Sequence, residues 1–309
     1  MTLAALRHGG KRALAAALAG LERDPDGEAA QALLDAAWRQ PKAHVVGVTG
    51  PPGVGKSSLC AALVAAWRKA GKTVGVIAVD PSSKASGGAL LGDRVRIVND
   101  SGDEGSFVRS MAARDRLGGL ADQTLAAMVV MRALFDCVLI ETVGVGQSET
   151  DVAGVADTVL FCVQPGSGDS LQFMKAGIVE IPHLVVVTKA DLGAAAERAK
   201  ADVAGALSLA VADGDWPLRT VLASSRSGAG LEALMAALEA HRDHLAKDGR
   251  LALARHRQSQ GWIVQSLSER FGREGLVRLG RLGFDLSLAP GAQPFQRLRE
   301  LAAALEQPA

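Results

Sequence analysis

Gly50-Pro51-Pro52-Gly53-Val54-Gly55-Lys56-Ser57 fits the spacing G-x-x-x-x-G-K-[ST], a loop that wraps phosphate. Its glycines let backbone N–H groups turn inward on a β-phosphate, and the helix that follows adds its positive dipole end. Lys56 can reach the β- and γ-phosphates, and the Ser57 hydroxyl can hold Mg²⁺. Ser58 opens the helical pattern Ser58 to Trp67, so Gly50 through Ser58 are the residues expected to hold a nucleotide's phosphates. Two acids stand in matching positions. Asp80 ends the apolar run Thr73 to Val79, and Glu141 ends the run Asp136 to Ile140. Either carboxylate can hold Mg²⁺, and the Gly144 amide in the Glu141-Thr142-Val143-Gly144 turn can bond a γ-phosphate. Taken alone, Glu141 would read as a solvated strand end; the loop and Asp80 give it its metal reading.

Base choice falls to Lys189-x-Asp191. Guanine presents N1–H and N2–H₂ to a carboxylate, whereas adenine presents an acceptor at N1. An unsatisfied buried polar group costs about 1–3 kcal/mol, so Asp191 is expected to favour guanine a hundredfold or better. Lys189 can lie against base and ribose, and Ser224 and Ser225 can contact guanine O6. The reaction implied is hydrolysis of a γ-phosphate, with GTP and GDP as the bound nucleotides. Lys56 and Glu141 are its candidate catalytic residues. Arg94, Arg96 and Arg109 could serve as an arginine finger, although salt bridging is the plainer role for each.

These residues need a parallel α/β sheet to bring them together. Short apolar runs at His44–Thr49, Thr73–Val79, Asp136–Ile140, Thr158–Val163, Leu184–Val187 and Val221–Ala223 read as buried strands, with Phe107–Met111 as a further strand and turn. Strand ends are where ligands sit in such a sheet. Helices are expected between them, including 194–213 and 230–244. The fold class is therefore α/β, a phosphate-loop nucleotide domain over 41–244 with a mostly parallel sheet. Residues 1–40 read as two helices broken at Asp24-Pro25-Asp26-Gly27, a strong turn signal. Residues 245–309 read as a helical region suited to dimerisation, with Trp262, Phe271 and Phe284 as core-type residues. The polar, glycine-broken stretch 84–103 reads as a switch.

Composition narrows the classes. Net charge is +1, so no basic field draws nucleic acid or an anionic membrane. Aromatic residues are 4%, with no Tyr, which argues against base-stacking platforms. No apolar run reaches membrane-span length. Lys11 to Leu21 superficially resembles a signal peptide, but Glu22, Arg23 and Asp24 follow directly and a mature amphipathic helix fits better. Cys60, Cys137 and Cys162 are scattered, which points to a reducing compartment, with the cytoplasm as default. The six His are scattered too and read as structural.

GVTGPPGVGKSS, VDPSS, SGGALLGDRVRI, FVRSMA, ETVGVGQSE, PGSGDSLQFMKAGIVEI and TKAD occur in that order. In them the chain resembles the GTPase chaperones associated with methylmalonyl-CoA mutase, the MeaB, ArgK and MMAA group. That resemblance implies a homodimer that gates delivery of cofactor, from a cobalamin adenosyltransferase, into an adenosylcobalamin-dependent acyl-CoA mutase, and that protects or rescues the mutase. It also implies Ser57, Asp80, Asp93 and Glu141 as Mg²⁺ and switch positions, with Asp93 among the catalytic residues. Asp169, Gln172 and Lys175 would form a partner-sensing switch, Lys175 acting in catalysis. A nickel-insertion metallochaperone of related fold is the alternative, and it would need a Cys/His cluster. A kinase or transport ATPase is opposed by Lys189-x-Asp191. Three positions depart from the family pattern: Thr188 where Asn is usual, His183, and the pair Arg114-Asp115. Thr188 is expected to weaken loop bracing or base affinity. The other two point toward a mutase acting on isobutyryl-CoA or 2-hydroxyisobutyryl-CoA.

Overall fold

The computed structural model describes residues 2–80, 102–112, 122–144, 151–166, 181–207 and 216–307. Its centre is a seven-stranded sheet. The strands are β1 (His44–Thr49), β2 (Val74–Asp80), β3 (Ser106–Ala112), β4 (Cys137–Glu141), β5 (Thr158–Val163), β6 (Leu184–Val187) and β7 (Arg219–Leu222). Their order is β3-β2-β4-β1-β5-β6-β7, and every pairing is parallel. Parallel strands covered on both faces must be apolar throughout, which is why β1, β4, β5 and β6 are runs of Val, Leu and Ile.

Alternate residues serve opposite layers. Val45, Val138, Ile140 and Val159 face one core, and Val46, Val48, Leu139 and Leu160 face the other. The first core is covered by α1 (Leu3–Arg23), α2 (Glu28–Trp38) and α4 (Asp122–Leu134). The second is covered by α3 (Lys56–Lys69) and α6 (Leu231–Leu245). Toward the β7 edge, α5 (Ala194–Leu207) covers Phe161, Val163, Val185 and Val187. The N-terminal pair forms as expected, with the Thr2 hydroxyl capping α1 by accepting from the Ala5 amide at 3.2 Å.

Beyond the sheet lie α7 (Arg250–Arg281), kinked at Gly272, and α8 (Pro294–Glu306). Ile263, Leu267, Leu279, Leu301 and Leu305 build their shared core. Trp262 packs edge-on to Phe295 at 5.0 Å, and Phe295 meets Trp38 at 6.3 Å, joining α2, α7 and α8. Trp262 and Phe271 pack against buried residues as expected. Phe284 does not: it is 38% exposed, just past the end of α7. Among the described residues no helix is long and apolar enough to cross a membrane.

The N-terminal edge of the sheet closes on side chains. Asp157, just before β5, accepts the Val45 amide at 2.8 Å and two bonds from Arg255 at 2.8 and 2.7 Å. The Thr158 hydroxyl stands between His44 Nε2 at 2.6 Å and His241 Nδ1 at 2.7 Å. His183 Nδ1 accepts the Val159 amide at 2.9 Å and its ring lies 4.4 Å from that of His241. Burial lowers His44 and His183 to about 4 and His241 to about 2, so all three are neutral at pH 7. His183 thus has a packing role just before β6.

Candidate nucleotide-binding site

At the opposite, C-terminal edge, β1 runs into the loop and α3 begins at Lys56. Gly50 has φ +133°, and a Cβ there would sit 2.3 Å from the Cys162 carbonyl oxygen on β5. Only glycine lets the loop leave β1 so close to its neighbour. Lys56 is 7% exposed, and its ammonium donates to the carbonyls of Gly50 at 2.7 Å, Pro51 at 3.1 Å and Val143 at 3.4 Å. The lysine is thereby held inside the loop, with the β4 turn closing over it. Gly144 has φ +84°, and a Cβ there would fall 2.1 Å from the Gly50 oxygen and 2.4 Å from Lys56 Nζ. The T-x-G turn and the phosphate loop are therefore in direct contact, as their roles require.

Ser57 and Glu141 converge as expected. The Ser57 hydroxyl donates to Glu141 Oε1 at 2.6 Å, and Glu141 is 6% exposed. Register explains the meeting: Glu141 pairs with Val48 on β1, and Ala78 on β2 pairs with Glu141. Asp80 therefore ends its strand two residues beyond that level. A hydroxyl and a carboxylate this close form a hard-oxygen pair, and such donors suit Mg²⁺. Thr142 and Thr49 hold the two strand ends together, hydroxyl to hydroxyl at 2.9 Å. This pair gave no signal in sequence beyond its place at two strand ends.

The base end is built on β6 and β7. Lys189 adopts φ +55°, and its ammonium bonds the Gln164 side-chain oxygen. The Ser224 hydroxyl donates to Asp191 Oδ1 at 2.5 Å, which holds that carboxyl below its usual range. Ser224 is buried, and it fixes the exposed Asp191 carboxylate through Oδ1. Ser224 thus positions the acid at the base end. Ser225 is exposed beside it. One expectation changes: Asp191 is exposed, not buried, so any selectivity for guanine needs the nucleotide itself to bury it.

Thr188 proves more engaged than expected. Its Oγ1 lies 2.7 Å from the Val54 carbonyl in the phosphate loop and 3.0 Å from the Val163 carbonyl. It thus ties the base strand to the loop. Arg109 is bound by Glu22 on α1 at 2.5 Å, so it is committed to packing and is no arginine finger. Asp93, Asp169, Gln172, Lys175, Arg94, Arg96 and the Arg114-Asp115 pair lie outside the described residues. The three cysteines are buried, and burial pushes Cys137 up to about 11 and Cys162 up to about 12, so neither is a nucleophile at neutral pH. Among the described residues no three His, Cys, Asp or Glu side chains gather to hold a metal.

Known proteins place this geometry. The family model for methylmalonyl-CoA mutase-associated GTPase MeaB matches residues 13–274. A relative from Pyrococcus abyssi is 43% identical over 229 residues, 73% of this chain and 71% of that protein. The mouse protein named methylmalonic aciduria type A homolog, mitochondrial, is 36% identical over 234 residues, 74% of this chain and 56% of that longer protein. A solved structure described as an LAO/AO transport system kinase superposes with a TM-score of 0.68 at 26% identity, covering 99% of this chain and 96% of that one. With a phosphate loop, a strand-end acid and a T-K-x-D base motif on one parallel sheet edge, and a family match over most of its length, the chain belongs to the MeaB family of methylmalonyl-CoA mutase-associated GTPases.

Proposed function

We propose that the protein is an Mg²⁺-dependent GTPase whose hydrolysis cycle gates cofactor loading into an adenosylcobalamin-dependent acyl-CoA mutase, and that it protects or reactivates that mutase. The observation that carries the chemistry is the convergence of Lys56, Ser57 and Glu141 on one loop, with Asp191 held by Ser224 at the base end. Mg²⁺ would be held by the Ser57 hydroxyl and the Glu141 carboxylate, with Asp80 proposed as a further ligand. When bound, it supplies positive charge to the β- and γ-phosphate oxygens. Lys56 is poised to leave the loop carbonyls for those same phosphates, exchanging neutral acceptors for charged ones. Gly144 brings its amide to the same place. Asp191 accepts from guanine N1–H and N2–H₂, and Lys189 covers base and ribose.

Asp93, Asp169, Gln172 and Lys175 complete the proposal as switch residues that respond to the mutase. The association with methylmalonyl-CoA mutase for which the family is named supports that partner class. Residues 245–309 are proposed as the homodimer region, with the exposed Val277, Leu282 and Phe284 on the face that a second copy covers. Domain limits at 40 and 244 are part of the proposal, the first just before β1 and the second at the end of α6. Three free thiols suit a reducing compartment such as the cytoplasm. The test mixes purified protein with methylmalonyl-CoA mutase and measures phosphate release with and without Mg²⁺, alongside gel filtration. Mg²⁺-dependent turnover that rises on mixing, with co-elution, is expected. Turnover unchanged by the mutase, with separate peaks, would end the mutase reading and leave the GTPase standing.

A further inference from the structure

Arg132 on α4 is 3% exposed, and its Nε is buried without a hydrogen-bond partner. Among the described residues none forms an ion pair with it. The Trp38 ring lies 4.7 Å from its guanidinium carbon, which offsets only part of the burial. Burial and the Arg255 charge lower Arg132 to about 9, so it still carries its proton at pH 7. A buried, protonated guanidinium without a counter-charge is costly, and proteins ordinarily pair it. Here the pairing is incomplete. Arg132 and Arg255 share the field of one buried carboxylate, Asp157, and Arg255 takes both of its oxygens. His44, beside that carboxylate, is neutral and adds no further demand on it.

Arg132 lines a small cavity with Trp38, Met128, Gln258, Ser259 and Trp262, where α2, α4 and α7 meet. The centre of a water-sized sphere has about 10 Å³ in which to move there, room for one water or one ion a few tenths of an ångström larger in radius. The amide nitrogen of Gln258 is spent on the carbonyls of Ala153 and Ala156, and the Ser259 hydroxyl on that of Arg255. Arg255 also lines the cavity, held by Asp157 and the Ala43 carbonyl, and the Arg132 Nε is the buried donor left there without a partner. A water there would satisfy a hydrogen bond but leave the charge. A monatomic anion would satisfy both.

We propose that this cavity is an anion site in which Arg132 binds a halide, chloride under cellular conditions, and that the ion fastens α2 and α7 onto α4. The site is independent of the nucleotide reading. The first test grows crystals of the full chain with sodium bromide replacing chloride. An anomalous difference peak within hydrogen-bonding distance of Arg132 Nε is expected; water density without anomalous signal overturns the proposal. The second compares melting midpoints in sodium chloride, bromide and gluconate at equal ionic strength. The halides should raise the midpoint by about 2 °C over gluconate. That difference should vanish in Arg132→Met or, should that variant fail to fold, in Arg132→Gln. Equal midpoints in wild type, or a halide shift that persists in the variants, would refute it.

Discussion

The two edges of one sheet are finished in opposite ways. At the C-terminal edge the groups that meet are mostly main chain: the carbonyls of Gly50, Pro51 and Val143 hold Lys56, and glycines make the close approaches. At the N-terminal edge they are side chains, with Asp157, Arg255, Thr158, His44, His183 and His241 satisfying one another. The described hydrogen bonds of the cation at the first edge go to neutral carbonyls, an arrangement a phosphate can displace. The second pairs its charge inside the protein and has no such exchange to make. Buried polar groups can serve either purpose, and what separates the two is whether the partner is exchangeable.

Asp157→Ala is the hardest break of the closed edge. It leaves Arg255 buried without its carboxylate and the Val45 amide without an acceptor, and losing one partner of a buried pair costs about 3–5 kcal/mol. Chemical denaturation should register that loss, while GDP affinity of the folded fraction stays at the wild-type value. A matching fall in GDP affinity would show that the edges are coupled.

Lys56→Ala is the converse experiment at the open edge. Removing a donor aimed at transition-state charge costs about 10²–10³ in turnover. Single-turnover GTP hydrolysis should fall by that factor, with a melting midpoint close to wild type. A severe loss of folding instead would mean that Lys56 is chiefly a structural cation.

The difference between the edges also explains what could be read from sequence. Gly50 to Ser57, Glu141 to Gly144 and Lys189-x-Asp191 are local patterns, because phosphate and base recognition needs consecutive backbone and strand-end groups. Parallel strands announced themselves by apolar runs. The closed edge is assembled from residues 44, 157, 158, 183, 241 and 255, far apart in the chain, and no spacing rule links them. For the same reason the scattered histidines could be given no common place. Thr188 was visible as a departure from pattern, but its bond to Val54 depends on how β6 meets the loop. The exposure of Asp191 has no local signal, because burial at a strand end depends on what packs over it.

Acid provides a graded version of the comparison. His44 and His183 have folded values near 4 and His241 near 2, against 6.5 when unfolded. The unfolded chain therefore binds more protons between these limits, so stability must fall as pH drops from 6.5 toward 4. Each histidine that stays neutral contributes up to about 1.4 kcal/mol per pH unit once well below 6.5. Asp157 is held below its usual range, so its share is lost at still lower pH, in the same direction. Denaturant midpoints between pH 7 and 5 should decline, and His183→Gln should flatten the slope. A flat wild-type profile would show that the rings titrate normally.

Thr188→Val is the finest probe, because it changes one hydroxyl where the base strand meets the phosphate loop. The Val163 carbonyl already accepts the Thr188 amide at 2.8 Å, so the single hydroxyl proton is better used on Val54 at 2.7 Å. Valine keeps the shape and removes that proton, at a cost of about 1 kcal/mol. If the loop must be braced to bind phosphate, GDP affinity should fall about fivefold while preference for guanine over adenine is unchanged. Thr188→Asn brings two donors and can serve both carbonyls together, so it should restore or exceed wild-type affinity. Equal affinities across threonine, valine and asparagine would show that the loop is set by its own glycines and the Lys56 contacts, and that the open edge needs no side-chain brace.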